Sequence, residues 1–376
     1  MINTYIKDIS EALAQGHEAL MVGAGFSKNA KKITVTDKKF LDWKQLSNLF
    51  YDHLYGTDDK LEKEYCSSLR LAQELEVVSG RPKLDTILKE AAPDLEYAPT
   101  ELYTNLMDLP WTDVFTTNYD TLLERAADMV TSRRYHVVVD QKDLVNSNDV
   151  PRIIKLHGSF PSHRPFIITE EDYRTYPVQF APFVNTVQQS LLENVFCMVG
   201  FSCEDPNFLK WIGWIHDNLG KSSAQKIYMI SVTPVLEAKA KLLFEQNIVV
   251  VDLTTVWGDK DNYGRIDAFI NELRKKVEKK EAKDTWFNAN KLPKEWNKTI
   301  IDRTALFRKL NKTYPGWIVL PWKMKNRVSY VLLDWDVIDF LKKATEIEKI
   351  DYIYEFTKFL DIVGRPILPQ ISEEFW

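Results

Sequence analysis

Six short apolar runs, at residues 19–23, 113–116, 152–156, 195–200, 226–232 and 248–253, dominate the first two thirds of the chain. Turn or cap residues bound each of them, and helix-length segments lie between. None alternates strictly between apolar and polar positions, as a strand wetted on one face would. Near-continuous apolar character belongs to strands covered on both faces by helices. Parallel neighbours need long crossovers, and the intervening segments supply them. The chain is therefore expected to be an α/β protein built on a doubly wound, mostly parallel, Rossmann-like sheet.

The interval between the first and second runs is long enough for several helices of its own. Residues 40–55, 60–79, 84–91 and 100–108 read as successive helices divided by Gly56, Gly80, Pro82 and Pro93. They form a helical insertion over about residues 29–110, expected to cap the sheet's edge. Phe183, Val184, Val187 and Leu191 recur at helical spacing and place a helix before the fourth strand. Residues 266–280 read as a closing helix running into the polar stretch 275–284, where a domain boundary is expected. The first domain then covers residues 1–284. Residues 285–376 differ in character: they hold six of the eleven tryptophans, Trp286, Trp296, Trp317, Trp322, Trp335 and Trp376, and a hairpin-like pair around 323–327. Tryptophan is enriched at interfaces, so a small C-terminal α+β domain for oligomerisation or partner docking is expected.

Composition narrows the function. With 376 residues the chain has room for two to three domains. A net charge of -5 supplies no general basic field, which argues against strong direct binding to nucleic acid. The first sixteen residues read as an amphipathic helix rather than an export signal, and no apolar stretch approaches the ~20 residues that span a bilayer. A cytoplasmic protein without a membrane anchor is expected. The three cysteines, Cys66, Cys197 and Cys203, are too scattered for a disulfide framework or a four-thiolate zinc site. Cys197, inside an apolar run, is expected to be buried.

The unusual residues fall where the strands end. In open α/β sheets that is where ligands bind. The first run exits through Gly23-Ala24-Gly25-Phe26-Ser27, whose glycines suit either a tight packed turn or close approach of backbone N–H groups to a diphosphate. The second exits through Thr116-Thr117-Asn118-Tyr119-Asp120. There Asp120 is a natural N-cap and Asn118 a natural turn residue. The third ends in His157-Gly158, and of six histidines only this one closes an apolar strand and precedes a glycine. The fourth exits through Gly200-Phe201-Ser202, after which Asp205-Pro206 opens a helix in N-cap and first-turn order.

Together and in this order, the four motifs resemble the sirtuin superfamily over about residues 15–255. Its Gly-Ala-Gly-x-Ser pattern is matched by Gly23–Ser27, its Thr-x-Asn-x-Asp pattern by Thr116–Asp120, its His-Gly pair by His157 and Gly158, and its later Gly-x-Ser by Gly200–Ser202. Sirtuin deacetylases follow the first motif with an Ile-Pro-Asp-Phe-Arg type segment. Here it is Lys28-Asn29-Ala30-Lys31-Lys32. Deacetylases also carry two Cys-x-x-Cys pairs for a structural zinc after the His-Gly, whereas residues 159–194 contain no cysteine. With this departure, and with the segment 166–176 opening Phe-Ile-Ile-Thr-Glu-Glu-Asp-Tyr, the chain resembles the zinc-free, sirtuin-like NAD hydrolases of bacterial antiphage defence.

That resemblance implies cleavage of the nicotinamide–ribose bond of NAD, with NAD as substrate and no zinc. Asn118 would position the ribose and the attacking water, and His157 would act as general base or orient a ribose hydroxyl. Gly23, Ala24, Gly25, Phe26 and Ser27 would hold the diphosphate. Gly200, Phe201 and Ser202 would contact the diphosphate or adenosine ribose, and Thr117 and Asp120 would shape the same pocket. A role for Asp205 beyond capping is not required. The resemblance further implies an effector depleting NAD in abortive infection, gated as a homo-oligomer or by a HerA-type ATP-driven DNA translocase. The alternatives are an NAD-dependent deacylase or ADP-ribosyltransferase using the same ribosyl intermediate, and a non-catalytic NAD or ADP-ribose sensor. A sensor would need only the glycine loops.

Overall fold

The computed structural model describes residues 2–56, 67–147, 151–161, 165–220, 224–284, 345–347 and 350–354. In chain order the elements are α1 (Ile2–Gln15), β1 (Glu18–Val22), the single turn α2 (Ala24–Ser27), β2 (Lys31–Lys32), α3 (Trp43–Tyr55), α4 (Ser68–Ser79), α5 (Arg81–Ala91), β3 (Tyr97–Ala98), α6 (Glu101–Met107), β4 (Asp113–Thr116), α7 (Leu122–Met129), β5 (His136–Val138), β6 (Arg152–Lys155), α8 (Glu170–Gln179), α9 (Ala181–Glu193), β7 (Val195–Val199), α10 (Pro206–Leu219), β8 (Ile227–Ser231), α11 (Glu237–Glu245), β9 (Ile248–Asp252), α12 (Thr254–Trp257) and α13 (Asn262–Asp284). By its contacts the chain divides into two units, residues 1–129 with 135–274 and residues 130–134 with 275–376. Every described strand lies in the first. The expected C-terminal hairpin, the six tryptophans assigned to that region, and Cys66 lie outside the described residues.

All six expected strands are present in a seven-stranded parallel sheet of order β5-β6-β4-β1-β7-β8-β9. β1 is its centre, and all five of its residues are buried. From β1 the chain builds one wing through β4, β5 and β6, then crosses back to build the other through β7, β8 and β9. This is the doubly wound pattern, and its direction reverses between β1 and β7. The seventh strand, β5, was not expected. It is a three-residue edge strand with Val137 exposed, too short to leave a periodic signal.

Ala19, Met21, Phe115, Ile154, Phe196 and Met198 form one buried face of the sheet. The helices α8, α9 and α10 cover it with Tyr176, Phe183, Val187, Leu191, Phe208 and Trp211. Each such side chain contributes roughly 1.5–3 kcal/mol on burial. Cys197 is fully buried, as its apolar run implied. α10 begins where the sequence placed it, with Asp205 as N-cap and Pro206 in the first turn. α8 was missed. Its capping box pairs Thr169 with Asp172, but Pro177 inside the helix breaks the helical signal in the sequence.

The insertion does not cap the sheet's edge, as the sequence had suggested. The core of α3, α4 and α5 includes Leu46, Phe50, Leu75 and Ile87 and closes over Phe166 and Ile168, with Tyr119 and Phe160 packed against it. These four partners follow β4 and β6, which are interior strands. The insertion therefore sits over the carboxyl ends of the strands. Arg81 of α5 fastens it there, donating to Asp85 at 3.0 Å, to Asp172 at 3.1 Å and to the Phe166 carbonyl.

At the opposite end of β1, Glu18 is fully buried and neither carboxylate oxygen has a hydrogen-bond partner among the described residues. Burial pushes its carboxyl well above the usual carboxylate range. Folding therefore favours the protonated acid. The cost of Glu18 is absent below the unfolded value of about 4.3 and grows as pH rises above it. Thermal melts of Glu18→Gln should show a higher midpoint than wild type at pH 7 and no advantage below about pH 4.

Candidate active site at the switch point of the sheet

The registers bring the motifs to one place. Val22 pairs with Val199, so Gly23 and Gly200 each lie one residue past the last pair. Thr116 pairs with Lys155, so Asn118 and His157 each lie two residues past theirs. Neighbouring strands stand about 4.8 Å apart, so the four exits converge at the carboxyl edge, where the winding reverses.

The glycines are explained first by the approach of two loops. Gly23 N–H donates to the Val199 carbonyl and Gly25 N–H to the Gly200 carbonyl, each at 3.0 Å. A Cβ on Gly23 would stand 2.5 Å from the Gly200 oxygen, and one on Gly200 would stand 2.3 Å from the Phe26 nitrogen. Gly200 also has φ +64, in the left-handed region. Phe26 is buried, and its carbonyl accepts from the Tyr103 hydroxyl at 3.0 Å. Ala24, Gly25 and Ser202 remain exposed at the rim, and Phe201 is half-buried with its ring edge-on to Phe208 at 5.2 Å.

Ser27, Asn118 and Asp120 form a directed chain of hydrogen bonds. The Ser27 hydroxyl donates to Asp120 Oδ2 at 2.7 Å, and Asn118 Nδ2 donates to Ser27 Oγ at 3.1 Å. With its hydroxyl proton committed to a carboxylate, Ser27 can only accept from the amide, which fixes the Asn118 side-chain orientation. Asn118 Oδ1 is buried and has no hydrogen-bond partner among the described residues. The backbone beneath is anchored too: Thr116 Oγ1 donates to the Val22 carbonyl at 2.8 Å and accepts from Asn118 N–H at 3.0 Å. Thr117, between them, is half-buried.

Asp120 itself caps the following helix start, with Oδ1 accepting from Leu122 N–H at 3.2 Å. Burial raises its carboxyl above the usual range, while the charge of Lys155 and the Ser27 hydroxyl pull it back. Lys155, fully buried at the end of β6, lies 2.9 Å from Glu124 and donates to the Asp120 carbonyl. It ties the Asn118 turn to the strand that carries His157.

His157 is almost fully buried. The Tyr173 and Tyr176 rings meet its imidazole edgewise, at centroid distances of 5.4 and 5.9 Å. Its carbonyl accepts from Ile167 N–H at 3.0 Å, and Tyr119 OH donates to the Ile167 carbonyl at 2.9 Å. Asp205 Oδ2 is 3.9 Å from His157 Nε2. The structure thus gathers Ser27, Asn118, Asp120 and His157 in a buried floor beneath the two glycine loops. Tyr119, Lys155, Tyr173 and Tyr176 complete that floor. The sequence cues for the two α8 tyrosines are the Thr169–Asp172 capping box before them and the segment 166–176 that holds them.

Among the described residues, no group of three or more His, Cys, Asp or Glu side chains could hold a metal ion, and no helix is long and apolar enough to cross a membrane. Residues 112–251 match the family described as the SIR2-like domain. The chain is similar to two proteins named NAD(+) hydrolase ThsA. It is 30% identical to the Acinetobacter baumannii (strain 532279) protein over 215 residues, which is 55% of this chain and 40% of that relative. Against the Enterococcus faecium protein it is 30% identical over 217 residues, 56% of this chain and 43% of that relative. The chain therefore spans about two fifths of the length of these relatives. Among solved structures, a Sir2 homologue in complex with NAD aligns over 72% of this chain and 94% of its own, at 14% identity and a TM-score of 0.38.

The glycine contact can be tested against a neutral position. Gly16 has φ +73, but a Cβ there meets nothing within 4 Å, so Gly16→Ala should cost only the left-handed backbone strain of about 1–2 kcal/mol. Gly200→Ala adds a backbone collision and should cost clearly more, read as the larger drop in the urea midpoint.

Proposed function

We propose that this protein hydrolyses NAD at the bond between nicotinamide and ribose, giving nicotinamide and ADP-ribose. The observation that carries this reading is the Asn118 carboxamide. It is buried, locked through Ser27 to Asp120, and presents Oδ1 as an acceptor with no partner among the described residues, one strand away from His157. The match of residues 112–251 to the SIR2-like domain, and the names of the relatives, support the same chemistry.

Departure of neutral nicotinamide leaves positive charge shared between ribose C1′ and its ring oxygen. A water is then needed on the vacated carbon. Asn118 Oδ1 accepts a hydrogen bond from that water and aims its lone pair, and His157 takes the proton released as the new C–O bond forms. In sum, NAD and water give nicotinamide, ADP-ribose and one proton passed to solvent. Ala24, Gly25 and Ser202 lie exposed at the rim, where the diphosphate would rest, with Gly23, Phe26, Gly200, Phe201 and Thr117 shaping the walls. Three of the loop amides are engaged internally, so diphosphate contact falls on the remaining groups of these loops.

An enzyme that destroys NAD endangers its own cytoplasm. The reading therefore extends to a gated effector of antiphage defence, released by assembly as a homo-oligomer or with a HerA-type translocase. The test is incubation of the purified chain with NAD, alone and with DNA and ATP, with products resolved by chromatography. Nicotinamide and ADP-ribose are expected in equal amounts, with the rate reduced at least ~100-fold in both Asn118→Ala and His157→Ala. NAD left intact in every mixture overturns the reading. O-acetyl-ADP-ribose formed from an acetylated peptide would point instead to a deacylase.

A further inference from the structure

Asp205 uses its two carboxylate oxygens differently. Oδ1 accepts from Asn207 N–H and Phe208 N–H, each at 3.0 Å, and caps α10. A cap needs one oxygen, and Ser, Thr or Asn supplies it as well as Asp. Oδ2 accepts from the Tyr173 hydroxyl at 2.7 Å and stands 3.9 Å from His157 Nε2. The cap therefore uses Oδ1 and leaves Oδ2 to Tyr173 and the imidazole.

The surroundings of His157 give that charge a purpose. The imidazole is almost fully buried, with the Tyr173 and Tyr176 rings against it. Burial alone disfavours an imidazolium, so a base at this position needs a counter-charge to take up a proton. Among the groups that face it are Tyr173 and Tyr176 from α8 and Asp205 from the turn before α10. Burial raises the Tyr119 and Tyr173 hydroxyls far above their ordinary value, so both stay neutral. Asp172, also on α8, is already paired with Arg81. Asp205 Oδ2, 3.9 Å from Nε2, places a carboxylate beside the ring.

We infer that Asp205, held in place by Tyr173, is a positioning residue for His157: its carboxylate stabilises the imidazolium formed when His157 accepts a proton, and Tyr173 fixes where that charge sits. The origin of the proton rests on the NAD-hydrolase reading. In that reaction the water oxygen bonds to C1′, the C1′–N bond breaks with its electron pair going to nicotinamide, and the water's proton passes to the imidazole and then to solvent. The pairing itself depends only on the geometry.

Asn and Ser both retain the α10 cap without the charge, so Asp205→Asn and Asp205→Ser separate the two roles. Tyr173→Phe removes the anchor and leaves the carboxylate. The experiment is an NMR titration of the 15N-labelled histidines of the full chain, with His157 assigned by its loss in His157→Ala, alongside steady-state NAD cleavage. The His157 midpoint should fall by about one pH unit or more in Asp205→Asn and Asp205→Ser, and by less in Tyr173→Phe. The kcat should fall at least ~10-fold with KM within about twofold and the melting midpoint within a few degrees, because a merely structural defect would not move the titration. An unmoved His157 midpoint in the folded Asp205 variants overturns the inference. Should Asp205→Asn fail to fold, Asp205→Ser and Tyr173→Phe give the same decision. Wild-type protein that leaves NAD intact would sink the hydrolase reading alone, since the titration decides the pairing without turnover.

Discussion

The contact between the turns after β1 and β7 underlies the rest of the site. Gly23, Gly25 and Gly200 meet backbone to backbone, with distances that exclude a Cβ at Gly23 and Gly200. These strands are the central pair, where the sheet reverses its winding, and the contact ends them flush. Ser27 leaves this contact after a single helical turn, and its hydroxyl reaches Asp120 across a chain separation of 93 residues. If the two turns separated, Ser27 would lose its position and Asn118 its orientation. The glycines therefore act on the candidate site through packing, whatever they also contribute to a ligand.

Buried charge is handled consistently around this contact. Asp113 and Arg152 pair across the start of β4 and β6 with two bonds of 2.7 and 2.8 Å. Burial still raises the Asp113 carboxyl, because desolvation outweighs the help of Arg152. At the other end of the same strands Lys155 lies between Glu124 and the Asp120 carbonyl. Asp94, buried, accepts from Thr121 N–H at 2.8 Å and from its hydroxyl at 2.7 Å, and pairs with Arg125. Asp94 and Lys155 both fix the turn after β4, one from the insertion side and one from β6. Buried pairs of this kind add little net stability, but removing one partner strands the other, so they hold a turn to one conformation. The turn they hold is the one that carries Asn118.

Much of this was legible in the sequence. Strands covered on both faces are written as uninterrupted apolar runs, and all six were found within a residue or so of their observed ends. The four motifs were legible because open parallel sheets put ligand sites at strand exits, so a glycine, asparagine or histidine there stands out against the apolar run before it. Four features were not legible. β5 is three residues long and half-exposed, and α8 contains Pro177, so neither leaves a periodic signal. The placement of the insertion depends on Phe166 and Ile168 packing with Leu75 and Ile87, contacts between residues far apart in the chain. The second role of Asp205 was hidden because a cap explains an aspartate before a helical proline completely. Only the distances from Oδ2 to Tyr173 and His157 show a surplus oxygen.

The two side chains to which the proposed chemistry is assigned are held in different ways. Asn118 is fixed by neutral hydrogen bonds ending on a carboxylate, an arrangement that sets direction without moving a proton. His157 lies against the Tyr173 and Tyr176 rings with the Asp205 carboxylate 3.9 Å from Nε2. Cleaving an N-glycosidic bond with water asks for both behaviours: a lone pair aimed before the bond breaks, and a sink for the proton after the new bond begins to form. Adjacent parallel strands in register carry the two residues to equal depth, each two positions past its last paired residue.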